Sequence, residues 1–352
     1  MKVFAPLRSM LAAASMMALV SAASATQYHV IALGVVNDDD TAGQMNSAGI
    51  VPGSRYVKHG PLPMLFDHGQ VTYLGNSEQF GSAVGVNDSG AVAGNFTHSS
   101  TQKMGPFYWK DGTFTRIHPL TVNNHVGWDA RAVAINRSGQ VLLTETLSGG
   151  SPHAFVTFTY DKSAHGAARK VQIPPIPDLE GLAGEAINDA GDVVGDAGGS
   201  NNSHAFRYHA GQSVDLGVVP GPTNPFSTAR AISASGLVAG GGTDSQGNLN
   251  AVLWHADGTR LDLGLVSNLT YTLALGINDS AVVVGDGSDI HGNDFAWVYD
   301  GHAMALLDDL LDADSQGWQT RIAWSVDNAG AISGMGTFNG VYLPFLALPV
   351  TR

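Results

Sequence analysis

Ile187-Asn-Asp-Ala-Gly-Asp-Val-Val-Gly195, followed by His204-Ala-Phe206 and Val214-Asp-Leu-Gly217, is the stretch whose reading decides the fold. It begins with an aliphatic residue, a small polar residue, two variable residues and a glycine. Asn followed three residues later by Gly suits a type I turn whose Gly takes the left-handed conformation, a tight connector between two strands. The same pattern stands at Met45-Asn-Ser-Ala-Gly49, Val86-Asn-Asp-Ser-Gly90, Ile135-Asn-Arg-Ser-Gly139, Ile232-Ser-Ala-Ser-Gly236, Ile277-Asn-Asp-Ser-Ala281 and Val326-Asp-Asn-Ala-Gly330, which makes seven copies. Four residues further on, a second glycine recurs at Gly53, Gly94, Gly195, Gly240, Gly285 and Gly334, with Leu143 in its place in the third copy.

A third element with an apolar, often aromatic centre follows each copy: Met64-Leu-Phe66, Phe107-Tyr-Trp109, Ala154-Phe155, Ala205-Phe206, Val252-Leu-Trp254, Phe295-Ala-Trp297 and Phe345-Leu-Ala347. A fourth closes several units, at Val71 to Gly75, Val214 to Gly217 and Leu261 to Gly264. Each unit thus reads as four short antiparallel strands. A four-stranded unit repeated every 40 to 50 residues or so predicts a seven-bladed β-propeller, with a β-solenoid as the alternative. The innermost strands should end at residues 46, 87, 136, 188, 233, 278 and 327. Closure favours the propeller. The segment Tyr28 to Val36 resembles the fourth-strand segment Val214 to Val219, while the seventh unit stops after its third strand. The surplus strand and the missing one complete each other only in a ring.

His153-Ala-Phe155 and His204-Ala-Phe206, with the Ile-Asn-Asp-Ala-Gly and Asp-Leu-Gly elements around them, resemble the extracellular HAF repeat family, named for that tripeptide. The resemblance implies an exported repeat protein, and it assigns no catalytic or binding residue. Two of the seven copies keep the full tripeptide.

Export is also what the first residues predict. Lys2 and Arg8, an apolar run from Met10 to Val20 and the ending Ala23-Ser-Ala25 follow the order of a secretory signal peptide over residues 1–25, leaving one domain over 26–352 in the periplasm or the medium. The apolar run falls short of the roughly 20 residues that span a bilayer, so no membrane insertion is expected. Cysteine is absent, so neither disulfides nor thiolate metal sites are available. Formal net charge is −13, and losing Lys2 and Arg8 makes it more negative, which excludes nucleic acid as a natural partner. Oligomeric state is not legible.

Candidate chemistry is sparse. No His-Glu-x-x-His, Gly-x-Ser-x-Gly, phosphate loop or EF-hand pattern is present, so no cofactor is expected. Asp38-Asp-Asp40 and the pair His118 and His125 fall short of a full ligand set, so no metal is assigned. Three positions before the Asn column stand Glu185 and Arg230, on innermost strands of adjacent blades, where they either pair structurally or recognise a ligand. Trp128 with Arg131, and Trp318 with Arg321, stand where long loops enter innermost strands. An aromatic beside an Arg suits sugar stacking or a protein contact, and a Trp there also suits blade core. Tight turns should share one face and long loops the other, which is where ligands usually meet a rigid scaffold. The reading is therefore a non-enzymatic module that binds a glycan, peptide or cell-surface protein through the long-loop face. The alternative is a hydrolase or lyase acting on an extracellular polymer, with Asp129, Glu145, Asp178, Glu180, Glu185, His118 and His125 as its candidate groups. Acids and a His converging over the channel would favour the enzyme, and scattered acids the binding module.

In the sixth copy Ala281 replaces the turn glycine, so it must either enter the left-handed region or change the turn type. Left-handed Ala costs on the order of 1 kcal/mol. Thermal melts should show Ala281→Gly above the parent and Gly191→Ala below it; two unchanged melting temperatures would refute the shared turn geometry.

Overall fold

The computed structural model describes residues 26–33 and 41–350, apart from 59, 68, 76–79, 98–103, 119–120, 123–124, 148–154, 180, 199–202 and 221–223. Asp38 to Asp40 and Glu180 lie outside the described residues, as do the side chains of His125, Trp128 and Asp129. Within them the chain is a seven-bladed β-propeller of antiparallel four-stranded blades. Blade four is representative: Leu182–Ile187, Val193–Ala197, His204–His209 and Gln212–Asp215 run outward from the centre in sequence order. Blade three carries one extra two-residue strand, Thr121–Val122, on its inner edge. No described helix is long and apolar enough to cross a membrane.

The ring closes as the surplus strand predicts. Tyr28–Ala32 pairs antiparallel with Val341–Pro349, from Tyr28 opposite Pro349 to Ala32 opposite Phe345, and so supplies the fourth strand of blade seven. Side-chain bonds fasten it: Ser315 Oγ accepts from the Val30 amide at 2.8 Å, and His29 Nδ1 lies 2.9 Å from Asp312 Oδ2.

The core comes from the third strands. Phe66, Phe107, Phe158, Phe206, Trp254, Trp297 and Phe345, one per blade, are almost wholly buried. In blades two, six and seven the second glycine, Gly94, Gly285 and Gly334, makes room for the ring. A Cβ on Gly334 would stand 2.6 Å from the Phe345 ring and 2.1 Å from the Ile322 carbonyl, a clash on both sides. Register also corrects one reading. In blade three the residue opposite Leu143 is Phe158, whereas in blade four Phe206 lies opposite Gly195. Phe155 is therefore three residues out of step, and the two His-Ala-Phe tripeptides are not equivalent positions.

Turns follow the repeat. The Asn188 carbonyl accepts from the Gly191 amide at 3.1 Å, and Gly191 has φ +83. Ala281 keeps the same turn, accepting the left-handed region at φ 60 rather than changing type.

Because one strand pairing closes the ring, deleting residues 26–33 should leave the Val341–Pro349 edge unpaired, which templates aggregation. Size-exclusion chromatography should show aggregates for the deletion and a monomer-like peak once the segment is relocated behind Pro349 on a short linker. A deletion variant that elutes and melts like the parent would refute closure by this strand.

Candidate functional site

Seven innermost strands line a central channel, and their neighbours dictate which positions are free. Two columns face the adjacent blade and are buried and small: Ala83, Ala132, Gly184, Ala229, Ala274 and Ala323, then Gly85, Ala134, Ala186, Ala231, Gly276 and Ser325. Between them each strand slips its register by one residue, at Val84, Val133, Glu185, Arg230, Leu275 and Trp324. A bulged residue has no partner in the next strand. Lying on an innermost strand between two buried small residues, it is the more exposed of the three and faces the channel. In blade one, Gly43 holds the corresponding position.

The channel level so formed is two-sided. Blades four and five contribute Glu185 and Arg230, whose Oε1 and Nη1 are 3.1 Å apart. Asp196 on the second strand of blade four stands 3.7 Å from Arg230 Nη2, and Arg131, exposed on blade three, adds its charge beside Glu185. Burial pushes the Glu185 carboxyl above its usual range, with Arg230 pulling it back, and Asp196 is raised in the same way. The other side is apolar: Val84, Val133, Leu275 and Trp324, the last 37% exposed. Trp324 was missed by sequence reasoning, although it stands in the very column that drew attention to Glu185 and Arg230.

The remaining candidates divide. Trp318 is only 7% exposed and packs on Phe338 and Phe345, at ring-centroid distances of 5.2 and 5.9 Å, inside the core shared by blades six and seven. Arg321 is half-buried, donates to the Asp294 carbonyl at 3.0 Å and to Gln319 Oε1 at 2.6 Å, and lies over the Phe295 ring. Trp318 and Arg321 thus serve packing and the blade junction, away from the Glu185–Arg230 pair. Among the candidate acids, Glu145 is buried within blade three and Asp178 sits in an exposed turn. His118 is exposed, its carbonyl accepting from Lys170. The described members of that set are scattered.

A concavity of about 180 Å3 opens at the opposite, tight-turn end of the channel. Its rim is occupied by blade-to-blade fastening. Asp189 Oδ1 accepts from the Arg137 amide at 2.7 Å, Asp279 Oδ1 from the Ala234 amide at 2.7 Å, and Asp88 Oδ1 from both Ser47 N and Oγ. Burial works against ionised Asp88, but the Ser47 hydrogen bonds and Arg137 outweigh it and hold the carboxyl below its usual range. Elsewhere, His29, Asp312 and Asp314 bring one ligand atom each within 4.8 Å. Both Asp312 oxygens are engaged, Oδ1 by Ser315 and Oδ2 by His29, so this group clasps the closing strand.

No protein-family model and no curated protein matches the chain. Solved structures do. A chain of a mitotic checkpoint complex aligns over 99% of this chain and 99% of its own, with a TM-score of 0.52 and 13% identity. A chain from a study of two prolyl endopeptidases aligns over 93% of this chain and 51% of its own, with a TM-score of 0.52 and 9% identity. The Aleuria aurantia lectin in complex with alpha-methyl-L-fucoside aligns over 80% of this chain and 94% of its own, at 0.42 and 8%. At these identities the likeness shows the fold alone.

One carboxyl departs furthest from its ordinary behaviour. Asp286 follows the second glycine of blade six as Asp196 follows that of blade four, yet its buried Oδ1 has no hydrogen-bond partner among the described residues. Burial, and behind it the charge of Asp294, push its carboxyl up to about 6. An unfolded Asp titrates near 3.9, so the native chain keeps this proton where the unfolded chain has lost it. The stabilisation is full below about pH 4 and lost as pH rises through about 6. Asp286→Asn should therefore raise stability near pH 7 by on the order of 1–2 kcal/mol and flatten the loss between about pH 4 and pH 6. Melting curves across that window check it; a parental pH profile in the variant would mean that Asp286 titrates normally.

Proposed function

We propose that the chain is an exported, non-enzymatic propeller of the HAF-repeat kind that binds a glycan, peptide or cell-surface partner in its central channel, reached from the long-loop face. One observation carries the reading. The two columns of small residues that flank the bulged column are constrained by the neighbouring blade, while the bulged column itself presents a solvent-exposed Trp324 on one side and the Glu185–Arg230 pair on the other. Aromatic surface left in water beside fixed donors and acceptors is binding chemistry. Arg131, two positions nearer the long-loop end of its strand than Val133, extends the polar side toward that face. Export rests on the N-terminal pattern of residues 1–25 and on the family resemblance.

The rival reading, a polymer hydrolase or lyase, draws on Asp286, whose carboxyl titrates late enough to act as a proton donor near neutrality. The carboxylate whose charge reaches it, Asp294, has its Oδ1 engaged by Ser288 Oγ.

Passing the chain over immobilised neutral polysaccharides, acidic polysaccharides and cell-surface protein extracts separates the two. Retention on one class with no soluble product is the expected result. Steady release of oligomers or unsaturated ends, abolished in Asp286→Asn, would replace the binding module with the enzyme.

A further inference from the structure

We infer that the channel takes an uncharged polyhydroxylated ring, a neutral sugar unit, with its C–H face on Trp324 and its hydroxyls on Glu185 and Arg230. This rests on the reading that the channel is the binding site, and it names the ligand's chemistry.

Trp324 supplies the first argument. Trp254 and Trp297 are fully buried and Trp318 nearly so, whereas the Trp324 indole is left 37% exposed inside the ring. Its blade-one neighbour at that level is Gly43, which adds no side chain. A Cβ there would stand 2.5 Å from the Val84 carbonyl, so the position stays bare for steric reasons. A flat aromatic face left exposed in the channel matches a ring that has an apolar face of its own.

Charge supplies the second argument. Arg131, Glu185, Asp196 and Arg230 are two cations and two anions, so the polar side carries no net charge to attract an ionic ligand. An ionic side chain or a uronate would have to compete with the Glu185–Arg230 pair itself. Neutral hydroxyls need not: a hydroxyl donates to a carboxylate and accepts from a guanidinium, so a vicinal diol bridges the pair without separating it. Glu185 and Arg230 keep 30% and 31% of their side-chain surface exposed, leaving both heads reachable. The network also runs short of partners, since Arg230 Nε and Asp196 Oδ1 are buried with no hydrogen bond among the described residues. A wholly apolar peptide side chain would leave this polar half unanswered, a cost that a polyol avoids.

The test is a titration of the whole chain, followed by indole fluorescence and calorimetry, with neutral gluco-, manno- and galacto-oligosaccharides, oligogalacturonate and a set of neutral peptides. One neutral oligosaccharide should bind and shift the emission. Trp324→Ala and Glu185→Gln should each weaken it by at least about tenfold, with Trp324→Phe recovering part of the loss and the melting temperature of Trp324→Ala close to the parent's. If Trp324→Ala does not fold, the Glu185→Gln and Trp324→Phe arms carry the same comparison. Preference for oligogalacturonate or a peptide overturns the neutral-sugar assignment. Sugar binding that is unchanged in all three variants overturns the channel as its seat, while the binding-module reading survives. Retention of nothing in any class, here and on the polysaccharide columns, overturns that reading itself.

Discussion

A primary amide that bonds in two directions is the device on which the ring depends. Asn188 shows it whole: its Oδ1 accepts from Ala190 N and Asp192 N at 3.1 and 2.9 Å, closing its own turn, while Nδ2 donates to the Ser233 carbonyl of the next blade at 3.1 Å. Asn46 donates to the Asn87 carbonyl at 3.3 Å, Asn87 to Asn136 at 3.1 Å, Asn136 to Asn188 at 3.1 Å and Asn278 to Asp327 at 2.9 Å. Only an amide both accepts and donates in this geometry, and the side chains are buried, so each unmade bond would leave a costly polar group. Ser233 and Asp327 lack the NH2, so their junctions rest on the contacts that remain. Between blades five and six, Ala234 donates its amide to Asp279; between seven and one, Leu33, Leu346, Ala331, Met45 and Val51 form an apolar cluster.

Holding the turns that close forces the strands behind them together, and this decides where chemistry can sit. A Cβ on Gly276 would lie 3.0 Å from Ser325 Cα of the neighbouring blade, and one on Gly85 3.1 Å from Ile135 Cγ2. Those columns are therefore small by necessity. The bulged position escapes because its side chain leaves the interface for the channel. Valine, glutamate, arginine, leucine and tryptophan all occur there, a variety that the packed columns do not tolerate. Variation between repeats within one chain thus marks the channel-facing surface, just as uniformity marks the fastening.

The same reasoning says what was legible beforehand. Turn chemistry, the count of blades and closure by Tyr28 to Ala32 all follow from residues whose backbone role leaves few alternatives, and Ala281 takes the strained conformation its neighbours impose. Side-chain direction is another matter. Trp318 and Trp324 lie six residues apart on one strand; the first turns into the core and the second out of it, because register slips intervene at Arg321 and Trp324. Strict alternation would place both residues on the same face, so the period alone hides the difference. Comparing columns across repeats reveals it: Trp324, not Trp318, aligns with Glu185 and Arg230. The tripeptide in blade three misleads for a related reason, since the position equivalent to Phe206 is Phe158, three residues after the one the sequence match suggests.

Electrostatics inside the ring then depends on which residue the next blade offers at its bulge. Asp196 and Asp286 occupy one column, one residue after the second glycine, where Asn95 and Thr144 bond the backbone of the following blade. Asp196 meets Arg230, which offsets part of what burial costs it. Asp286 has blade seven before it, where the bulged residue is Trp324 and no cation among the described residues offsets its burial; its carboxyl is accordingly the one pushed up to about 6. A charged partner at that position would settle Asp286 but remove the aromatic face from the channel. Blade seven carries the aromatic, and an Asp286 carboxyl that keeps its proton up to about pH 6 is the consequence for the neighbouring blade.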